Sequence, residues 1–259
     1  MIEQRDRFRR RGEAPLVSVI VAVFNGAETL RRCIDSVVEQ TYPNKELIVV
    51  DGCSTDGTVE ILEAENDKIA YWESKPDRGI YHAWNKAIEH AEGEWICFLG
   101  ADDYFATPDS LSELSSELEV GTDFIFSRVA IVDENDRVLT IGGPMWDWER
   151  MKRYQTVSHA GALHHRSVFE RYGKFDEKYK VAGDYEFFLR VGAAAKASYV
   201  DKVIVHLGNS GISQVQLRLT FRETRLIQSA HPEIGPYRAW ANYVIAVSKA
   251  LLRRMLCGS

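Results

Sequence analysis

Apolar residues change their spacing several times along the first hundred positions. Leu16 to Phe24, LVSVIVAVF, is a β-branched run too short for a free helix, bounded by Pro15 and Asn25-Gly26, and it predicts a strand buried on both faces. Leu30, Cys33, Ile34, Val37 and Val38 then recur at helical spacing ahead of Pro43, which predicts an amphipathic helix of about three turns. ELIVVDG, Glu46 to Gly52, reads as a second strand, Thr58 to Leu62 as another helical turn, and IAYWE as a third strand. Ile80, Ala83, Trp84, Ala87, Ile88 and Ala91 mark one face of a helix that ends near Gly93, before the strand EWICFLG. This β-α-β-α-β order predicts an α/β fold: a single doubly wound, mostly parallel sheet with helices on both faces and ligands beyond the carboxyl ends of its strands.

After Pro108 the alternation loosens. A helix over Leu111 to Leu118 leads into DFIFSRVAIVD and RVLTIGG, an expected antiparallel extension with a turn at Glu134-Asn135-Asp136. Gln214 to Leu256 is helical by pattern, with Arg218, Arg222 and Arg225 on one face. Its second part combines Trp240, Tyr243, Val244, Val247, Leu251 and Leu252 with Lys249, Arg253 and Arg254. Such a helix either lies in a membrane interface or packs on the body with a solvated basic edge. The organisation is then a basic segment over 1–14 (Arg5, Arg7, Arg9, Arg10, Arg11), one continuous domain over 15–213, and a helical segment over 214–259.

With 259 residues, 45% of them hydrophobic, the chain can bury one large core or two modest ones. A net charge of −6 argues against a broad nucleic-acid footprint. Cys33, Cys53, Cys97 and Cys257 have no metal-binding spacing and read as reduced thiols. No signal peptide or bilayer-spanning run is apparent, so the expected location is cytoplasmic, peripheral at the inner membrane face if the last helix lies in the interface.

The chemistry concentrates in acids at predicted strand ends or in the loops beyond: Asp51 after ELIVV, Asp102-Asp103 after EWICFL, and Asp184 in VAGDYEFFLR. A lone Asp there is commonly a cap or turn residue, but neighbouring parallel strands share one rim, so Asp51 and Asp102-Asp103 can converge on one ligand. Hard carboxylate oxygens suit Mg²⁺ or Mn²⁺ completed by phosphate oxygens. The first turn, FNGAETL, matches neither the dinucleotide fingerprint nor a P-loop.

PLVSVIVAVFNGAETLRRCIDSVVEQTYPNKELIVVDGCSTDGT followed by KPDRGIYHAWNKAIEHAEGEWICFLGADD closely resembles the family 2 glycosyltransferases of the GT-A fold. The likeness is dense over 15–105, which it makes the nucleotide-binding half. It is sparser over 106–213, the acceptor half, where SHAGALHHRSVFERYGKFDEKYKVAGDYEFFLR is similar to bacterial surface-polysaccharide members. The resemblance implies that Ala22, Val23 and Glu28 contact the base, that Asp51 hydrogen-bonds it and that Arg78 lies near it, with Asp77 and Asn85 as structural partners of that loop. It gives Asp103 to the metal and Asp102 to the ribose or diphosphate, with Ala101 where the motif's first acid would stand.

Asp184 matches the family's catalytic acid, with Gly183 in place of the usual Glu; an N-cap is its alternative role. His159, Arg190, His206, and Ser210 and Ser213 of the GNSGIS loop are possible acceptor or diphosphate contacts, while structural roles stay open for each. The implied activity is an inverting, metal-dependent transfer from a nucleotide-sugar donor, UDP-linked by expectation, to a glycan or lipid-linked acceptor, with no nucleic-acid partner. A non-catalytic nucleotide-sugar-binding subunit is the alternative. A sugar-1-phosphate nucleotidylyltransferase would need a glycine-rich basic loop that FNGAET lacks.

Overall fold

The computed structural model describes residues 14–209 and 216–257, with side chains through Leu252. The N-terminal arginines, Ser210, Ser213, and the side chains of Arg253, Arg254 and Cys257 lie outside the described residues.

Four consecutive parallel strands begin one sheet in the order β3 (Tyr71–Ser74), β2 (Lys45–Asp51), β1 (Val17–Val23), β4 (Trp95–Gly100). The sheet continues through β8 (Leu163–His165), antiparallel to both neighbours, then β6 (Phe124–Val132), β9 (Ala197–Gly208) and the short β5 (Tyr104–Phe105). The antiparallel hairpin expected after Phe124 is present: β7 (Val138–Gly142) pairs with β6, and Asp136 in its turn takes φ +60°, a conformation Asp tolerates.

The alternation in β1 explains how the sheet buries both faces. Val17, Val19, Val21 and Val23 pack with Leu30, Cys33, Ile34 and Val37 of α1 (Leu30–Val38) and with Leu111 and Leu114 of α4 (Ser110–Ser115). Ile20, Ile48, Val50, Ile96 and Phe98 pack on the other side with α3 (Ile80–His90) and with Tyr185, Phe187 and Phe188 of α7 (Gly183–Val191). A short α2 (Thr58–Ala64) joins β2 to β3, while α5 (Trp148–Met151) and α6 (Arg166–Tyr172) flank the second half.

Two details depart from the sequence pattern. Val38, expected on the buried face of α1, is exposed at its last position. The helix expected over Leu111 to Leu118 stops at Ser115, after which Glu117 and Leu118 donate to carbonyls three residues back and tighten the chain into a turn.

The C-terminal segment is a helical hairpin of α8 (Leu217–Ala230) and α9 (Gly235–Cys257). α8 is tied to α7 through Gln228, whose Nε2 donates to the Tyr185 hydroxyl at 2.9 Å and to the Arg153 carbonyl at 3.0 Å. Among the described residues, no helix is long and apolar enough to cross a membrane. The described cysteines are free thiols, Cys33 and Cys97 buried and Cys53 exposed.

Candidate active site at the carboxyl rim of the sheet

Strand register places the acids. Ser74 stands opposite Asp51, Asp51 opposite Val23, and Ala22 opposite Gly100, so β3, β2, β1 and β4 end in one row. The turns that follow therefore share one edge. The first is stitched to the second: Asn25, at φ +51°, donates from its backbone to Ser54 Oγ at 2.7 Å and accepts from the Thr55 amide at 3.0 Å, and the Ala27 amide reaches Asp56 at 3.0 Å. Thr58 and the Ala27 amide bond the Asp56 carboxylate and hold its pKa below the usual range. Phe24 is 67% exposed at this rim. It lies beside Gly52, where a Cβ would stand 3.3 Å from the Phe24 ring and 2.8 Å from Asp77 Oδ2, so only glycine leaves the ring and carboxylate where they are.

Asp51 is fully buried, and its oxygens accept from the Cys53 and Ser54 amides at 3.1 and 3.0 Å, from the Ser54 hydroxyl, and from the Ser74 hydroxyl at 2.6 Å. Those four donors fill the lone-pair sites of a carboxylate. A base N–H thus reaches Asp51 only by displacing a serine hydroxyl. Asp77 accepts from the Gly79 amide at 2.7 Å within the Arg78 loop, while Asn85 clamps both backbone groups of Phe175 in the second half of the chain.

Asp103 is 8% exposed and accepts from the Gly100 amide at 2.8 Å and the Gly208 amide at 3.3 Å. Burial, reinforced by the charge of Asp102, pushes its pKa up to about 7 despite those two amides. Asp102 is half-buried between two glycines: a Cβ at Gly208 would stand 2.6 Å from Asp102 Oδ2 and one at Gly100 2.9 Å from Oδ1. A carboxylate that burial drives towards protonation is one that a cation can recharge. The described residues contain no cluster of three or more metal-ligating side chains. Two neighbouring carboxylates suit a hard divalent ion that takes one or two protein carboxylates and draws its remaining ligands from substrate oxygens and water.

Asp184 enters the same edge from the second half of the chain. α3 begins where β3 has delivered the chain to the rim, and its Tyr81 hydroxyl lies 3.0 Å from Asp184 Oδ1 and 2.8 Å from the Val181 carbonyl. Gln155 Nε2 donates to Asp184 Oδ2 at 2.7 Å. Burial raises the carboxyl above its usual range, and the bonds from Gln155 and Tyr81 oppose that rise. The half-buried Asp184 stands second in α7, after the N-cap Ala182, and besides those two side chains the Tyr185 and Asp184 backbone amides favour its charged form. Gly183 also has a local reason: any Cβ there would stand 2.8 to 2.9 Å from the Tyr81 ring, which fills the space a glutamate would need.

Several sequence-predicted contacts are engaged elsewhere. Arg78 pairs with Glu177, and Arg190 pairs with Glu186 at 2.8 Å while bonding the Tyr172 and Lys174 carbonyls, so both close loops of the second half. His159 is buried among Trp84, Phe98, Phe175 and His164, and burial lowers its pKa to about 3, so it is a neutral core ring and not a surface contact. His206 lies edge-on to Tyr104 at 5.0 Å. Glu28 is exposed in the first turn, Ala22 is half-buried and Val23 buried.

Sequence reasoning missed Phe24, Tyr81, Gln155 and Glu223. Glu223 sits among Arg218, Arg222 and Arg225 and reads as one more solvated charge, yet it is buried. Its carboxylate accepts the Lys180, Val181 and Ala182 amides at 2.9, 2.9 and 3.0 Å, the three residues that lead into α7. Glu223→Ala strands three amides and is expected to cost about 2–4 kcal/mol by chemical denaturation; Glu223→Gln, which keeps one acceptor oxygen, should cost less than half of that. Equal, negligible losses in both variants would show that the carboxylate does not hold the segment.

The comparisons with known proteins agree with this geometry. The model of the family described as glycosyl transferase family 2 matches residues 18–178. A PGL/p-HBAD biosynthesis glycosyltransferase of Mycobacterium bovis is 30% identical over 182 residues, covering 68% of this chain and 70% of that one. An uncharacterized glycosyltransferase of Mycobacterium tuberculosis is 33% identical over 206 residues, 77% of each chain. S. aureus TarS, solved with UDP-GlcNAc, superposes with a TM-score of 0.67 at 22% identity over 86% of this chain and 69% of that one; in another TarS structure the match covers 39% of the TarS chain. A mannosyltransferase of Pyrobaculum calidifontis, solved with GDP-Man and Mn²⁺, gives 0.64 at 21% identity over 99% and 82%. The two structures share the fold, while the family model spans the strands and turns that build the acidic rim: the chain belongs to glycosyl transferase family 2.

Proposed function

We propose that the protein is an inverting glycosyltransferase that moves a sugar from a nucleoside diphosphate donor, UDP-linked in the first instance, to a hydroxyl of a glycan or lipid-linked acceptor in cell-surface polysaccharide assembly. The observation that carries this reading is the common carboxyl edge of β2 and β4, after which Asp51 and Asp102-Asp103 follow, with Asp184 held by Tyr81 at the start of the helix that follows β3. The exposed Phe24 ring offers a stacking platform for the base, beside Ala22, Val23, Glu28 and the Asp51 loop, with Arg78 at the loop's far side. TarS with UDP-GlcNAc and the mannosyltransferase with GDP-Man and Mn²⁺ supply the precedent for a nucleotide sugar on this fold.

Asp102 faces the ribose or diphosphate, and Asp103 holds a divalent cation, Mn²⁺ or Mg²⁺. When bound, that ion neutralises the charge that grows on the diphosphate. Asp184, its pKa raised by burial, takes the proton of the acceptor hydroxyl, while Tyr81 and Gln155 fix its two oxygens in the direction of attack. The reaction would run on the cytoplasmic side of the membrane, where such donors are made.

The experiment is a screen of UDP-, GDP- and dTDP-sugars for metal-dependent thermal stabilisation, followed by an assay for released nucleoside diphosphate. One nucleotide class should stabilise the fold by about 3 kcal/mol at a hundredfold excess over its Kd, only with Mn²⁺ or Mg²⁺ present. No stabilisation and no release with any donor would overturn the reading. Stabilisation without release in the presence of acceptor extracts would mark a binding subunit.

A further inference from the structure

The α8–α9 hairpin is built inside out on one side. α9 buries Ala239 and turns Tyr237, Trp240, Val244, Ile245, Leu251 and Leu252 outward, Tyr237 92% exposed and the others each more than half exposed. At 100° per residue these six fall within one broad face of the helix, interrupted by Ser248 and Ala241 only. The helix contains no acid. Arg238 and Lys249 border the stripe on one side. On the other, Arg225 of α8 stacks its guanidinium over Trp240 at 4.7 Å and Tyr243 at 5.8 Å. Residues 216–259 hold seven Lys and Arg against two Glu, in a chain whose net charge is −6.

We infer that this outward face of α9 is a docking surface for an anionic lipid bilayer, entered parallel to the membrane plane. Apolar residues sink into the acyl boundary, Trp240 and Tyr237 sit at headgroup level, and Arg225, Arg238 and Lys249 reach lipid phosphates from the flanks. Charge selects this occupant over a second copy of the chain. Pairing two such faces would bring two positive segments together, whereas an anionic surface neutralises them. The inference deepens the proposed transfer to a lipid-linked acceptor and rests on that reading for its purpose. α8 packs against α9 on one side and, through Glu223, holds residues 180–182 beside Asp184 on the other.

The test is co-sedimentation of the full chain with vesicles of phosphatidylcholine containing about 30% phosphatidylglycerol, against phosphatidylcholine alone. Binding should be at least about tenfold stronger to the anionic vesicles and fall steeply in high salt. Val244→Asp/Leu251→Asp should reduce it about tenfold or more, and Arg238→Glu/Lys249→Glu should abolish the preference for anionic lipid; Val244 and Leu251 are exposed, so the melting temperature of the first variant should be unchanged. Equal binding to both vesicles, or wild-type binding by Val244→Asp/Leu251→Asp, overturns the proposal. So does a wild-type dimer in lipid-free solution that this double variant converts to monomer. Vesicle binding is read without donor or turnover, so a failed nucleotide-sugar screen would remove the transferase reading and leave the docking result standing.

Discussion

Asp184→Asn is expected to lower turnover by about three orders of magnitude while leaving nucleotide affinity within about twofold of wild type. Asparagine has the shape of the acid, and its carbonyl oxygen still accepts from Tyr81, so the start of α7 should hold. What is lost is the basic oxygen on the side where Gln155 donates, where the new amide also places N–H against N–H. A merely structural Asp184 predicts the reverse pattern: lower melting temperature and near-normal turnover. Tyr81→Phe separates the two further. The Tyr81 hydroxyl favours the charged form of Asp184, so removing it raises the acid's pKa, and the acid limb of the pH–rate profile should move to higher pH. An unmoved limb in Tyr81→Phe, or full activity in Asp184→Asn, would take Asp184 out of the chemistry.

The legibility of this protein in its sequence follows the range of the interactions. Strands β1, β2 and β4 and helices α1 and α3 are legible because each buries a face whose period is local, and their acids fall at the rim because parallel strands end together. Pairings across about thirty to a hundred residues leave no local period. Tyr81 meets Asp184 across 103 residues, Gln155 comes from a stretch without periodicity, and the Glu223 carboxylate is hidden among arginines of like exposure in the sequence. Gly183 illustrates the same limit. As sequence it is a missing glutamate; in the fold it is the space that the Tyr81 ring occupies. Arg78, expected near the base, and Arg190, expected near acceptor or diphosphate, also have acid partners, Glu177 and Glu186, that no local pattern announces.

Asp103→Asn is expected to stabilise the metal-free protein at pH 8 while abolishing the response to Mn²⁺. With a folded pKa of about 7 against an ordinary value of 3.8, Asp103 keeps its proton in the native state between roughly pH 4 and 7, where the unfolded chain has released it. Native protein therefore binds more protons in that window, and the stability this group contributes is full at low pH and is lost as pH rises through 7. At pH 8 the ionised buried carboxylate costs up to about 4 kcal/mol, of which asparagine recovers about half after one of the Gly100 and Gly208 amide bonds is lost. A gain near 2 kcal/mol corresponds to a melting temperature higher by several degrees, and the slope of stability against pH between 5 and 7 should flatten. Metal reverses the ledger for wild type alone. A cation at Asp103 replaces the proton, so calorimetry in buffers of different ionisation enthalpy should detect proton release on Mn²⁺ binding near pH 6.5, and affinity should weaken below that pH. Retention of the full Mn²⁺-dependent stabilisation by Asp103→Asn would move the metal to other ligands, and an unchanged stability slope would show that Asp103 titrates in its ordinary range.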